Sequence, residues 1–195
     1  GAGAAIARTQ AAPVASGGRS GTGPPAAGLR SWLAGGMSTP PVPLAAVPAA
    51  LHRGEDELPF VEFGPGQELQ LLQVDLDAGF WVIRNRFQPG TMVQTHRHTG
   101  AVFAFTVSGS WKYAEYPEVN TAGSYLFEPA GSQHTLVVPD TNTEVTDVRF
   151  LIHGANLNLD AEGRVELVID AALVLDFYRS MCEALGHPDP PVIGA

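Results

Sequence analysis

From residue 55 onward the sequence is a succession of short β-type runs broken by turn signals, and this pattern limits the fold more than any other feature. The runs fall at 67–76, 79–87, 91–96, 101–108, 111–116, 125–127, 135–138, 144–153 and 164–169. Asp77-Ala78-Gly79, Pro89-Gly90, Ser108-Gly109, Pro139-Asp140 and Ala161-Glu162-Gly163 stand between them. Gly supplies positive φ, while Pro and Asp preset a turn, so each signal has a mechanism. Many short runs at such spacing predict an all-β sandwich or barrel. The period changes at 170–185, where Leu173, Val174, Phe177, Tyr178, Met181 and Leu185 recur at i, i+3/i+4. One amphipathic helix is predicted there, with Asp170 as N-cap and Gly186 just past its end. It is expected on the outside of the barrel or at a dimer interface.

The residues before the barrel read differently. Residues 1–36 are rich in Ala, Gly, Pro and Ser and show no hydrophobic period, so a disordered leader or tag is expected. Residues 37–57 are expected to form an extended arm, because prolines 40, 41, 43 and 48 favour polyproline-like backbone. The barrel is assigned to 58–169, and the helix and tail to 170–195. Residues 31–51 carry no charge, but Gly-Gly and several prolines argue against a spanning helix. A formal net charge of −9 argues against nucleic acid or an anionic membrane as partner. The single cysteine, Cys182, cannot form an internal disulfide. It reads as a small apolar residue on a helix face, and a reducing, cytoplasmic compartment follows as the expectation.

His96-Arg97-His98, with His134 further on, carries the chemistry. Side chains alternate along a strand, so His-x-His presents both imidazoles on one face. A third histidine on a neighbouring strand closes a facial metal site. Neutral imidazole suits Fe, Zn, Cu and Ni.

The spacing around these histidines is specific. Gly90 is followed by TMVQT, His96, His98 and Gly109, and Gly123 by SYLFE, Pro129, Gly131 and His134. Both stretches resemble the two signature motifs of the cupin superfamily. A glutamate of the first motif is replaced by Val102. HRHTG, WKYAEY (111–116), NTAGSYLFEP (120–129) and HGANLN (153–158) further resemble cupins of the 2,4'-dihydroxyacetophenone dioxygenase type, over about residues 58–186. The resemblance implies a single cupin jelly-roll β-barrel with an N-terminal arm and a C-terminal α-helix. It also implies a non-haem Fe(II) dioxygenase that takes an aryl hydroxymethyl ketone and O2 to an aromatic acid and formate. Zn, Ni, Mn or Cu remain open as the metal, since ligand type alone does not select iron. A homodimer or homotetramer is expected, built through sheet edges, the arm and the apolar helix stripe.

Other residues are weighed around that centre. Val102 cannot ligate, so three neutral histidines would leave open positions for a bidentate oxygen ligand and O2. Glu115 shares a strand face with Trp111 and Tyr113, and is a candidate base or additional ligand, or else a solvated rim residue. Arg84 and Arg86 alternate on one face; Arg86 is a candidate partner for a substrate anion, or else points outward. Val102, Phe105, Trp111 and Tyr113 are candidate pocket residues. Glu128 reads as a residue that fixes the loop by a hydrogen bond, and His153 as structural. Rival functions on the same barrel are β-diketone cleavage, metal-dependent isomerisation and a non-catalytic ligand sensor.

Overall fold

A computed structural model describes residues 48–195. The expected leader at 1–36, and the arm up to residue 47, lie outside the described residues. Glu55–Glu57 form a single 3-10 turn. The strands that follow are β1 (Val61–Gly64), β2 (Gln67–Asp75), β3 (Phe80–Phe87), β4 (His96–His98), β5 (Val102–Ser108), β6 (Ser110–Tyr113), β7 (Val119–Thr121), β8 (Tyr125–Glu128), β9 (Gln133–His134), β10 (Leu136–Val137), β11 (Thr146–His153), β12 (Asn156–Leu159) and β13 (Val165–Ile169). Helix α1 (Ala171–Ala184) closes the series.

All named strands pair antiparallel, in three sheets: β1-β2-β3-β11-β5-β8, β10-β6-β7 and β13-β12-β4-β9. The result is the all-β cupin jelly roll. Period-two burial explains it. Trp81, Ile83 and Phe87 of β3 and Val148, Phe150 and Ile152 of β11 turn inward together, and meet Trp111, Tyr113 and Leu136 from the second sheet. At roughly 1.5–3 kcal/mol for each large side chain taken from water, this core is the main source of stability. The Ser108-Gly109 turn admits only glycine. Its φ is +71°, and a Cβ there would stand 2.7 Å from the Cα of Thr146.

Helix α1 is capped as the sequence predicts. The Asp170 side chain accepts from the Leu173 N–H at 2.9 Å. At the other end the His187 N–H donates to Cys182 O at 2.8 Å and the Gly186 N–H to Glu183 O at 3.0 Å, a Schellman closure with Gly186 at φ +82°. The buried stripe is rotated from the expected one. Ala171, Val174, Leu175, Tyr178 and Cys182 are buried, while Leu173 and Leu185 are exposed. The helix docks against β1 and β2, with Phe177 edge-on to Phe63 and the Tyr178 hydroxyl donating to Pro59 O. The neighbouring strands β1 and β2 set which side faces in, and periodicity in one segment does not report them.

Four strands escape the sequence pattern: β1, β7, β9 and β12. In β12 the inward residues are asparagines, so its NLNL alternation is polar-in and reads inverted. The run expected at 91–96 holds only a bridge from Met92 to Val137, and the strand proper begins at His96.

Candidate metal centre

His96 and His98 are the two ends of β4, both buried, with Arg97 turned outward between them. Strand β9 pairs with β4 so that His134 lies directly opposite His96. The ring centroids are 4.9, 4.9 and 5.1 Å apart. One nitrogen from each ring falls within 4.8 Å of the others. Among the described residues no other group of three His, Cys, Asp or Glu converges in this way.

The protonation states suit metal binding. His96 Nδ1 lies 2.8 Å from Gln94 O, so the tautomer assigned by that partner carries the proton on Nδ1 and leaves Nε2 a lone pair. Burial leads in pushing the His96 imidazolium down to about 4, with the neighbouring His98 and His134 acting the same way and the Gln94 hydrogen bond opposing them. A neutral imidazole is what ligation requires.

Glu128 belongs to the centre, which corrects the loop-fixing role expected from sequence. It is the cross-strand partner of Val102, the position where the cupin motif has its glutamate. Cross-strand partners share a face, so the carboxylate missing from β5 is supplied from β8. Its Oε2 lies 2.9 Å from His98 Nε2 and 3.0 Å from His134 Nε2. Oε2 and His134 Nε2 are nonetheless without a hydrogen bond of proper direction. Close buried donor atoms that are not bonded to each other fit a shared cation. Tyr113 completes the group. Its ring stacks on His134 at 3.7 Å and 16°, and its hydroxyl donates to Glu128 Oε1 at 2.5 Å. Burial and the charge of Glu128 hold the phenol well above its ordinary value, so it remains a donor. Burial also pushes the Glu128 carboxyl up, but contact with His134 and His98 outweighs this and holds it below the usual carboxylate range.

His96, His98, Tyr113 and Glu128 line a cavity of about 80 Å³ whose apolar side includes Trp81, Ile83, Phe150 and Ile152. No Lys or Arg lines it. Of the expected pocket residues, only Tyr113 lines this cavity. Val102 is fully buried in the core, and so is Trp111, whose indole donates to Thr106 Oγ1 at 2.9 Å. Phe105 is on the outside, 46% exposed and packed on Tyr125. Arg86 is outside too, because Trp81, Ile83, Asn85 and Phe87 hold the inward positions of β3. It donates to Glu55 at 3.1 Å and covers the Phe60 ring. Glu115 is an exposed residue next to the site. Its Oε2 accepts from the Thr135 N–H at 3.0 Å, and it does not join the three histidines. Sequence reasoning passed over Asn156 and Asn158 as well, which line the cavity across from His98 and His96. Alternation in YLFE, with Leu126 packed on the core, was the available signal for Glu128.

The fold and its histidine-lined interior define a cupin. Residues 50–154 match the ChrR Cupin-like domain, and the chain belongs to that family. A protein of unknown function with a cupin-like fold from Ralstonia eutropha JMP134 is 31% identical, with a TM-score of 0.64 over 70% of this chain and 91% of that one. An RmlC-like cupin protein from the same organism is 25% identical, with a TM-score of 0.70 over 77% and 98%. An acetylacetone dioxygenase from Acinetobacter johnsonii shares the fold at 18% identity, with a TM-score of 0.61 over 74% and 99%. No curated protein matches the sequence. Among the described residues no helix is long and apolar enough to cross a membrane.

Proposed function

We propose that this chain is a mononuclear metal-dependent dioxygenase, with Fe(II) as the metal, that splits the C–C bond of an aryl hydroxymethyl ketone into an aromatic acid and formate. The observation that carries the reading is the convergence of buried His96, His98, His134 and Glu128 at the wall of a cavity that holds no Lys or Arg. The three histidines would hold the metal, with Glu128 at its side. Bound there, the metal would supply Lewis acidity toward the oxygens of the hydroxy ketone and the redox chemistry of O2. The chain does the rest. Glu128, held ionised, accepts the proton lost when the hydroxy ketone becomes its anion. Tyr113 keeps that carboxylate oriented through Oε1. Trp81, Ile83, Phe150 and Ile152 exclude water from the reacting carbons. With no Lys or Arg in the wall, a substrate carboxylate finds no counter-charge, so a neutral ketone is favoured.

A second reading rests on size. A cavity of about 150 Å³ takes benzene, and this one is about 80 Å³. That favours a compact ligand, and β-diketone cleavage is the corresponding activity. Elemental analysis of protein purified without oxygen, followed by an oxygen-electrode screen, separates the two. Uptake with hydroxyacetophenones supports the first reading, and uptake with small β-diketones alone supports the second. A protein that holds metal and consumes no O2 with either sinks both.

We also propose that the chain pairs with a second copy through the outer face of β5 and β8. Phe105, Val107, Tyr125 and Phe127 are 46%, 46%, 57% and 53% exposed beside the free edge of β8. At ~150–250 Å² for each aromatic, the half left exposed is roughly 300–400 Å², the range in which patches mark contact sites. Light scattering should give a multiple of 20.5 kDa. A clean monomer mass sinks the pairing.

A further inference from the structure

His98 differs from its two partners in the support of its ring. Its Nε2 is on the Glu128 side, and its Nδ1 is buried with no hydrogen-bond partner. His96, by contrast, has its Nδ1 fixed on Gln94 O. Ligating histidines almost always donate their second N–H to a fixed acceptor, which sets both tautomer and ring angle. Two candidates flank His98. On β12, Asn156 stands directly opposite it in register. On the β9 side, Ser132 accepts from the His98 backbone N–H at 3.0 Å. Asn156 Oδ1 and Ser132 Oγ are themselves buried without partners. Three orphaned polar atoms thus sit close in the chain pairing: His98 on β4, Asn156 on β12, and Ser132 just before β9. Each such orphan is uncommon and destabilising if nothing satisfies it.

The chemistry selects Asn156. Its Oδ1 can only accept, and an imidazole N–H can only donate. The Ser132 hydroxyl can rotate to a carbonyl of its own and does not need His98. Directly opposed residues have Cβ atoms about 4.5–5.5 Å apart, so a side-chain rotation is enough to join them. Oδ1 is also shut off from solvent, which argues against a role in touching a ligand inside the cavity. Asn158, the next inward residue of β12, is already engaged, since its Nδ2 donates to Gln94 Oε1 at 3.3 Å.

We propose that Asn156 is the positioning residue of His98: its Oδ1 accepts from His98 Nδ1–H when metal is bound, and so presents Nε2 to the ion. The inference rests on the metal-centre reading above. It is tested by zinc affinity, read in competition with a chromophoric chelator, and by the histidine N–H resonances of the zinc-loaded full chain. The wild type should bind one Zn(II) and show a protected His98 N–H. Failure of the wild type to bind zinc overturns the metal reading itself. Asn156→Leu should bind zinc about 10- to 100-fold more weakly and lose that one resonance. Asn156→Asp, which keeps the acceptor, should restore both, with the resonance moved downfield. Ser132→Ala should behave as wild type. Zinc binding by Asn156→Leu as tight as wild type overturns the assignment, as does loss of affinity in Ser132→Ala instead. If Asn156→Leu does not fold, the aspartate variant decides: weakened binding there overturns it.

Discussion

Two buried polar clusters can be set side by side, one outside the barrel wall and one inside. On the outer face of β3, Arg84 donates to both oxygens of Asp147, at 2.7 to 3.0 Å, and to Glu55 at 3.0 Å. Arg86 adds a bond to Glu55. The hydrogen bond to Asp147 leads in pushing the Arg84 guanidinium up, against the cost of burial. Every charge there has its partner. Inside, Glu128 Oε2, His134 Nε2 and His98 Nδ1 are equally buried and have none. Buried groups that satisfy each other hold a fold together; buried groups left open are kept for something that binds. The difference is why the arginine pair is structural here, and the histidine cluster is the candidate site.

The largest effect that sharpens this contrast belongs to the inner cluster. His98→Ala should drop metal content below about one tenth of wild type by elemental analysis, since two imidazoles ligate weakly, while the thermal unfolding of the metal-free chain changes little. Full occupancy in that variant would erase the distinction. Next comes the outer cluster. Asp147→Ala leaves the buried Arg84 with only the exposed carboxylate of Glu55, so denaturant unfolding should show a loss of up to about 3–5 kcal/mol, with metal stoichiometry unchanged. Metal loss in this variant at temperatures where it is folded would mean that the clusters are coupled.

A smaller effect is pH dependence. His96 has its folded value lowered from 6.5 to about 4. The unfolded chain therefore binds the extra proton first as pH falls. Stability of the metal-free protein is fully present above 6.5, declines as pH falls through that window, and levels off below about 4, for roughly 3 kcal/mol in all at 1.36 kcal/mol per unit. A flat stability profile between pH 7 and 4 would show that His96 charges freely in the folded state. The smallest change is expected from Arg86→Ala, at no more than about 1 kcal/mol, because the guanidinium is a third exposed and its pair with Glu55 is at the surface. Its oxygen uptake should equal wild type. A raised KM would bring Arg86 back as a substrate contact.

Much of this protein was legible in its residues. Turn chemistry and period-two runs gave the all-β class, the change of period gave helix α1, and Asp170 and Gly186 marked its ends. His96 and His98 were bound to share a face by alternation alone. That His134 would join them followed from the spacing of Gly123, Pro129 and Gly131 once the cupin resemblance was seen. Alternation, however, sorts a strand's residues into two sets and does not say which set turns inward. That is why Arg86 and Phe105, both on strands placed correctly, proved to face out. Nor does it name a strand's neighbour. Glu128 reached the site because β8 pairs with β5 in a register that sets it opposite Val102, and Asn156 faces His98 because β12 lies beside β4. Those pairings join segments distant in the chain. They are fixed by burying the whole barrel core at once, a condition on all strands together that no single stretch of sequence carries.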